Sequence, residues 1–207
     1  MLRKFSILSL TLFTGLLAAA GQAQAIEFGA WTPGSPFGGD VSATNALEAS
    51  VGRRVAIVNW YQDWGVDRSH FTYNVTKARR GIAASGRQAM LTWEPYNGGH
   101  WNNWTNRQIT HGRYDRYIKT VARRIRGVHQ PLYLRFAHEM NGNWYPWGVM
   151  TNHNSARSYK RMWRHVHRVF DSVGARNVRW VWSPLTEDSP HVPSNRFERY
   201  YPGRRWV

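Results

Sequence analysis

Short runs of β-branched and aromatic residues alternate with helical stretches, and this alternation restricts the fold more than any other feature of the sequence. Residues 54–61 read RVAIVNWY, a run typical of a buried strand, whereas 155–173 carries apolar residues at helical spacing. Strands that alternate with helices are typical of a parallel sheet covered by helices, so we predict an α/β fold. The predicted strands are 27–31, 54–61, 88–93, 131–136 and 178–182, and the predicted helices are 41–51, 76–85, 114–125 and 155–173.

Composition and charge exclude several kinds of site and partner. The sequence has no cysteine, which excludes disulfides, thiolate zinc sites and cysteine nucleophiles. Its 28 Lys and Arg against 12 Asp and Glu give a formal net charge of +16, so nucleic acid is the first partner to consider. The basic residues are spread through every segment without a nucleic-acid motif, so we predict no nucleic-acid partner. Solvated helix faces explain the charge, with attraction to acidic polysaccharide or anionic envelope surfaces as the alternative.

The first 25 residues have the pattern of an export signal. Arg3 and Lys4 precede an apolar run at 5–20, and Ala-Gln-Ala at 23–25 has the small-x-small form of a signal-peptidase site. We predict a signal peptide at 1–25, a single catalytic domain at 26–207, and a secreted or periplasmic monomer that is free of the membrane after cleavage. A retained N-terminal anchor is the alternative.

Polar residues lie at or just after the ends of the predicted strands, at Asn59, Glu94, His138 and Ser183. The carboxyl ends of parallel strands form the active-site face of a (β/α)8 barrel, so we predict an α/β fold of the TIM-barrel type with its site there. A complete barrel takes about 250 residues, and we expect this chain to be truncated after about five βα units. The sequence carries no glycine-rich phosphate fingerprint, so neither a dinucleotide fold nor a cofactor is predicted.

The segment 134–148 holds the densest group of chemically useful side chains. Its polar and aromatic members include His138, Glu139, Asn141, Trp144, Tyr145 and Trp147. Aromatic walls around Glu139 favour its protonated form, which suits a proton donor, although a hydrogen-bonded structural carboxylate fits the same pattern. The run HEMNG differs from the zinc motif HExxH because Gly142 occupies the second histidine position, so no metal site is predicted.

Motifs spread along most of the sequence are shared with one enzyme family. They are TWEPY at 92–96, GRYDRYI at 112–118, LRFAHEMNGNWYPWG at 134–148, WRHVH at 163–167, NVRWVWSP at 177–184 and YYPG at 200–203. In the order and spacing of these motifs the sequence resembles glycoside hydrolase family 26, the β-mannanase family of (β/α)8 barrels. The resemblance covers nearly all of residues 28–203.

The resemblance implies roles for individual residues. Glu139 matches the general acid/base at the end of the fourth strand. His138 matches the neighbour that orients the site, and Trp144 matches the indole that lines the sugar subsite next to the cleaved bond. Glu94 matches a residue of the substrate cleft. Further substrate-binding residues are expected at Trp93, Asn141, Trp147 and Trp182, while Trp101 and Trp104 fit either outer sugar subsites or loop packing.

The resemblance also implies a second carboxylate, which this chain is expected to lack. The family retains anomeric configuration through a nucleophile at the end of the seventh strand, and such carboxylate pairs stand about 5 to 5.5 Å apart. Glu94 is the best alternative nucleophile among the carboxylates near predicted strand ends. The others are Asp63, Glu187 and Asp188.

Together these features predict a retaining glycoside hydrolase of the mannan endo-1,4-β-mannosidase type, acting on a mannan-like or glucomannan-like polysaccharide. Without its nucleophile the chain is expected to be inactive or impaired. One alternative is a non-catalytic carbohydrate-binding remnant, and another is a family member acting on β-glucan, β-1,3-xylan or exopolysaccharide. A third is poor folding, because an unclosed parallel sheet leaves its first and last strands as open edges.

Overall fold

The computed structural model describes residues 26–65, 68–96, 105–149 and 151–207, with the backbone alone for 68–73. The predicted signal peptide at 1–25 lies outside these residues, and so do Trp101 and Trp104. Within the described part of the chain, no helix is long and apolar enough to cross a bilayer.

The described residues form a parallel sheet of five strands arranged in the order of the sequence. Each strand is hydrogen-bonded in parallel to the next. The strands are β1 (Gly29–Trp31), β2 (Ile57–Asp63), β3 (Gln88–Glu94), β4 (Leu132–Phe136) and β5 (Val178–Val181). Consecutive parallel strands joined by helical crossovers have the topology of successive units of a (β/α)8 barrel. The predicted α/β fold is therefore confirmed.

Helices connect the strands. They are α1 (Ser42–Val51), α2 (Arg68–Ala84), α3 (Asn106–Thr110), α4 (Asp115–Arg126) and α5 (Ala156–Ser172). Short 3₁₀ turns lie at Phe37–Gly39, Pro193–Asn195, Phe197–Tyr200 and Arg204–Trp206. α5 begins at a capping box, in which Ser155 and Ser158 each accept a hydrogen bond from the other's backbone N–H.

Two helical features differ from the sequence prediction. α2 begins at Arg68 rather than at residue 76, because its first two turns lack a clear apolar stripe from which the start could be read. α3 was not predicted at all, although a capping box between Thr105 and Gln108 marks its first turn. A Thr followed three residues later by Gln is a recognisable signal for a helix start.

The core lies between the sheet and the helices. Alternate strand residues point outward into it, so Leu91 and Trp93 of β3 and Phe136 of β4 are fully buried. The Trp93 ring lies 5.6 Å from that of Phe136 and 5.8 Å from that of Phe170 on α5, measured between centroids. The intervening residues of the same strands point to the opposite, concave face of the sheet, which carries the polar side chains.

A buried arginine fixes the chain where β4 begins. The guanidinium of Arg79 on α2 is shielded from solvent and donates hydrogen bonds to the backbone carbonyls of Ile125, Val128 and Gln130. The side-chain amide of Asn177 donates to the same three carbonyls. Burial lowers the pKa of Arg79 to about 10, so it remains a cation at neutral pH. These bonds hold the α4–β4 connection at the edge of the sheet opposite the strand ends that carry the polar residues.

Replacing Arg79 with Met should lower the free energy of unfolding by about 2 kcal/mol, since buried carbonyls lose hydrogen bonds from a charged donor. Equilibrium denaturation in urea measures this change. The matched control is Arg80→Met, because Arg80 neighbours Arg79 on α2 but is exposed, and its change should stay within about 0.5 kcal/mol. Equal effects of the two substitutions would contradict the role given to Arg79.

Candidate active site

Three neighbouring strands bring carboxylates to the same edge of the sheet. Asp63 ends β2 and Glu94 ends β3, and the two residues are direct partners in the strand register. Glu139 follows β4 by three residues. The electrostatic effects of Asp63 and Glu139 on Glu94 show that the three side chains are close enough to interact. This edge is the carboxyl end of the parallel sheet, where the sequence predicted the site.

Glu139 is partly accessible to solvent and is held by hydrogen bonds. Its Oε2 accepts a hydrogen bond from Trp144 Nε1 at 3.3 Å, and its Oε1 lies 3.5 Å from the guanidinium of Arg135. The side chain is 27% exposed. The carboxyl is thus held on both oxygens by donors and remains reachable from solvent, a combination that permits proton exchange with a bound molecule.

The backbone that presents Glu139 is unusual. Ala137 and Glu139 both have positive φ values, 46° and 52°, a conformation that costs energy for residues other than glycine. The N–H of Glu139 donates to the carbonyl of Ser183 at 2.8 Å, which joins the loop after β4 to the end of β5. The carbonyl of Glu139 accepts from the N–H of Gly142 at 2.9 Å. Backbone hydrogen bonds on both sides therefore hold the strained residue in place.

Gly142 allows Trp144 to reach Glu139. A Cβ placed on Gly142 would lie 2.8 Å from atoms of the Trp144 indole, closer than side-chain contacts allow. The indole therefore lies directly over the glycine backbone. Trp144 is 37% exposed, so part of its ring is open to a ligand.

His138 is buried beside the carboxylates. Its Nε2 lies 3.0 Å from the hydroxyl oxygen of Tyr145. The pKa of His138 is lowered to about 3, mainly by burial and to a smaller extent by the positive charge of Arg135. The imidazole is therefore neutral at physiological pH and acts through its position and hydrogen bonds rather than through charge. The backbone carbonyl of His138 accepts a hydrogen bond from Trp147 Nε1 at 2.7 Å. This bond connects the beginning of the loop after β4 to a later part of the same loop.

Glu94 is a buried carboxyl with a strongly altered titration. The pKa of Glu94 is raised to about 7, mainly by burial and to a smaller extent by the negative charge of Asp63. The positive charge of Arg135 and a hydrogen bond from the Tyr145 hydroxyl act in the opposite direction. Burial and the charges of Glu94 and Glu139 raise the pKa of Tyr145 well above its usual range, so its hydroxyl keeps its proton.

Tyr145 links Glu94 to His138. A phenol has one proton to donate, so a Tyr145 hydroxyl that donates to ionised Glu94 accepts from the N–H of His138. The Tyr145 ring also stacks on Trp147 with centroids 4.3 Å apart. The sequence suggested Tyr145 only as an apolar wall. It did not indicate Arg135, although an arginine within the apolar strand LYLRF is a signal for a functional position.

Besides Glu94, three more of the predicted substrate-binding residues are buried. Trp93 and Trp147 are essentially inaccessible, which contradicts the prediction that they contact a sugar. Trp93 points away from Glu94 because adjacent strand residues face opposite sides of the sheet. Asn141 is also fully buried. Its side chain donates to Asp188 Oδ1 at 2.9 Å and accepts from the N–H of Leu185 at 2.9 Å, so it binds the loop after β5 rather than a ligand.

Trp182 and two of the proposed alternative nucleophiles lie at or after the end of β5. Trp182 is half-buried, with its ring 5.2 Å from that of Tyr201 between centroids. Of the alternative nucleophiles in the loop after β5, Asp188 is bonded to Asn141, and Glu187 is exposed. Among the residues that the structure describes, no group of three or more His, Asp or Glu side chains is placed to hold a metal ion.

Comparison with known proteins agrees with this geometry. A family model described as Glycosyl hydrolase family 26 matches residues 93–207. Endoglucanase H of Acetivibrio thermocellus is 28% identical over 207 residues, which is 98% of this chain and 21% of that protein. Beta-1,3-xylanase TXYA of a Vibrio species is 26% identical over 172 residues, 80% of this chain and 34% of the relative.

A solved structure shares the fold. The catalytic domain of the GH26 endo-beta-1,4-mannanase of Bacillus sp. JAMB-750 superimposes with a TM-score of 0.65 at 21% identity, covering 88% of this chain and 55% of that chain. The chain thus spans a fifth to a third of the two curated relatives and about half of the solved domain. The family model covers more than half of the chain, and the chain therefore belongs to glycosyl hydrolase family 26.

Proposed function

We propose that residues 26–207 are part of the catalytic domain of an exported, retaining endo-β-mannanase and that Glu139 is its general acid/base. Membership of a glycoside hydrolase family supports the reaction class. The observation that carries the residue assignment is the position of Glu139, accessible at the carboxyl edge of β4 with donors on both of its oxygens. The charge and apolar pattern of residues 1–25 support the signal peptide, and with it a secreted or periplasmic location.

β-Mannan or glucomannan is the proposed substrate. The structural likeness to a domain named as an endo-beta-1,4-mannanase supports this choice. The two curated relatives are named for endoglucanase and beta-1,3-xylanase activities, so β-glucan and β-1,3-xylan are the competing substrates.

In the proposed reaction Glu139 transfers a proton in each of two steps. In the first step Glu139 gives its proton to the glycosidic oxygen as the bond to the anomeric carbon breaks, and a second carboxylate forms a bond to that carbon. In the second step a water oxygen replaces that carboxylate and Glu139 takes the water proton. Trp144 Nε1 donates a hydrogen bond to Glu139 and the Arg135 cation lies 3.5 Å from it, so both residues hold the carboxyl in position during the two steps.

The second carboxylate is proposed to come from a seventh strand, as the resemblance implies. The five described strands supply Asp63, Glu94 and Glu139 at their carboxyl edge, and Glu94 is poorly suited to nucleophilic attack because burial favours its neutral form. Glu94 and Tyr145 are better suited to hydrogen-bond the hydroxyls of a sugar held against Trp144.

The exposed indole of Trp144 favours carbohydrate binding without cleavage as the second candidate function. An open aromatic face beside a carboxyl can hold a pyranose ring whether or not a nucleophile is present. Binding and hydrolysis are separate measurements, so the two functions can be distinguished.

A version of the chain extended through strands six to eight of a closed barrel should release reducing ends from β-mannan or glucomannan. Glu139→Gln in that version should lower the rate at least about 100-fold, because general acid catalysis is lost. Glu27→Gln is the matched control, since Glu27 is an exposed carboxylate just before β1, at the opposite edge of the sheet, and it should keep the full rate. No release from any of the candidate polysaccharides, or full activity without the Glu139 carboxyl, would refute the proposal.

Trp144→Ala in the full chain should reduce retardation in affinity gels that contain mannan, because the exposed stacking surface is removed. We expect about a tenfold weaker affinity, the size of an aromatic anchor at a binding site. Phe37→Ala is the control, since Phe37 is also exposed but lies outside the Glu139 contacts. Retardation without hydrolysis in the extended version would support the binding function alone.

Glu94→Gln should stabilise the protein more at high pH than at low pH. The fold raises the pKa of Glu94 from 4.5 to about 7, so the stability given by its protonated form is present below pH 4.5 and is lost as the pH rises through 7. Glutamine stays neutral at every pH. The unfolding free energy of the variant minus that of the parent protein should therefore increase by up to about 3 kcal/mol between pH 4 and pH 8. Urea denaturation at several pH values measures it, and a difference independent of pH would contradict the assigned environment.

A further inference from the structure

A second cleft lies beyond the Glu139 site, between α3 and the turn that precedes α5. It encloses about 580 Å³. Four of its lining residues are basic, namely Arg107, His111, His153 and Arg161, and the others are Thr, Asn and Ser. The basic groups come from α3 and its end, from the turn and from α5, so the fold brings them together from separate parts of the sequence.

No carboxylate lines this cleft. Among the ion pairs found in the described part of the chain, none includes Arg107 or Arg161. The neighbouring segment 97–104, which lies outside the described residues, contains neither Asp nor Glu. Guanidinium groups gathered in a concavity without a counter-charge attract an anion, and their planar donors match a carboxylate.

The neutral side chains of the cleft fix its shape. The amide of Asn154 donates to the carbonyls of Pro146 and Gly148 at 2.7 and 3.1 Å, and the amide of Asn152 donates to that of Pro146 at 3.1 Å. The hydroxyl of Thr110 donates to the carbonyl of Asn106 at 2.7 Å. These hydrogen bonds stabilise the backbone that forms the walls of the cleft. The basic side chains are the lining groups that we expect to bind a ligand.

The loop 144–149 separates this cleft from the candidate active site and touches both. At one end Trp144 donates to Glu139, while further along the carbonyls of Pro146 and Gly148 hold the cleft wall. Asn106 of α3 donates to the carbonyl of Trp147 at 3.0 Å. Residues of one short loop therefore contact both Glu139 and the wall of the basic cleft.

We propose that the cleft lined by Arg107, His111, His153 and Arg161 binds the carboxylate of an acidic sugar unit, so that the preferred ligand is a polysaccharide carrying uronic acid. The proposal deepens the proposed function and rests on it for the glycan. Carboxylate, sulfate and phosphate groups share the required charge, and carboxylate is favoured because a uronic acid carries it on its own carbon skeleton, as C6, without an added ester group.

The test compares two ligands that differ in one group. Calorimetric titration of the full chain with a glucuronic acid-containing oligosaccharide should give an affinity about tenfold tighter than the same oligosaccharide with its carboxyl reduced to an alcohol. The double substitution Arg107→Gln and Arg161→Gln should abolish this difference. The matched control is Arg123→Gln with Arg124→Gln, two exposed residues of α4 with the same combined charge, and it should preserve the difference.

Other results would overturn the proposal. Equal affinity for the acidic and the reduced oligosaccharide would show that the carboxylate is not recognised. An equal loss in the control pair would reduce the effect of the cleft to general electrostatic attraction. Tighter binding of a sulfated oligosaccharide, inorganic phosphate or a single-stranded oligonucleotide through Arg107 and Arg161 would assign a different ligand. The binding measurement needs no turnover, so its failure is distinct from an absence of hydrolysis in the extended version.

Discussion

The positive charge of Arg135 is the interaction on which the electrostatics of the site depend. It lies 3.5 Å from Glu139, adds to the burial that lowers the pKa of His138, and opposes the burial that raises the pKa of Glu94. One guanidinium on β4 therefore acts on an accessible carboxyl, a neutral imidazole and a buried carboxyl that titrates near neutrality. Burial and this charge act in the same direction on the pKa of His138 and in opposite directions on the pKa of Glu94, so neighbouring groups in one small site titrate differently.

The order of strands and helices could be predicted from the sequence. Each strand is a short run rich in β-branched and aromatic residues, and most helices carry apolar residues at helical spacing. The limits of that reasoning are visible at Trp93 and Glu94. The sequence places both at a strand end, and only the alternation of strand side chains separates them, one into the core and one into the site. That distinction was available from the sequence, since period two assigns neighbours to opposite faces.

The errors at Asn141 and Trp147 have a different cause. Both lie in the loop after β4, where no periodicity indicates which side chains turn inward. Their burial depends on hydrogen bonds to partners distant in sequence, such as Asp188, and on contacts that form only when the loop closes on itself. The motif could indicate Glu139 and Trp144, but it could not show that their neighbours serve to hold the loop rather than the sugar.

The bonds made by Asn141 also bear on motion. Its side chain and backbone carbonyl, together with the Glu139–Ser183 contact, fasten the loop after β4 to the loop after β5 at several points. The two loops consequently behave as one rigid body, and the conformational entropy of ordering them is lost on folding rather than on ligand capture. Loops that are ordered before binding discriminate between ligands by a shape that already exists.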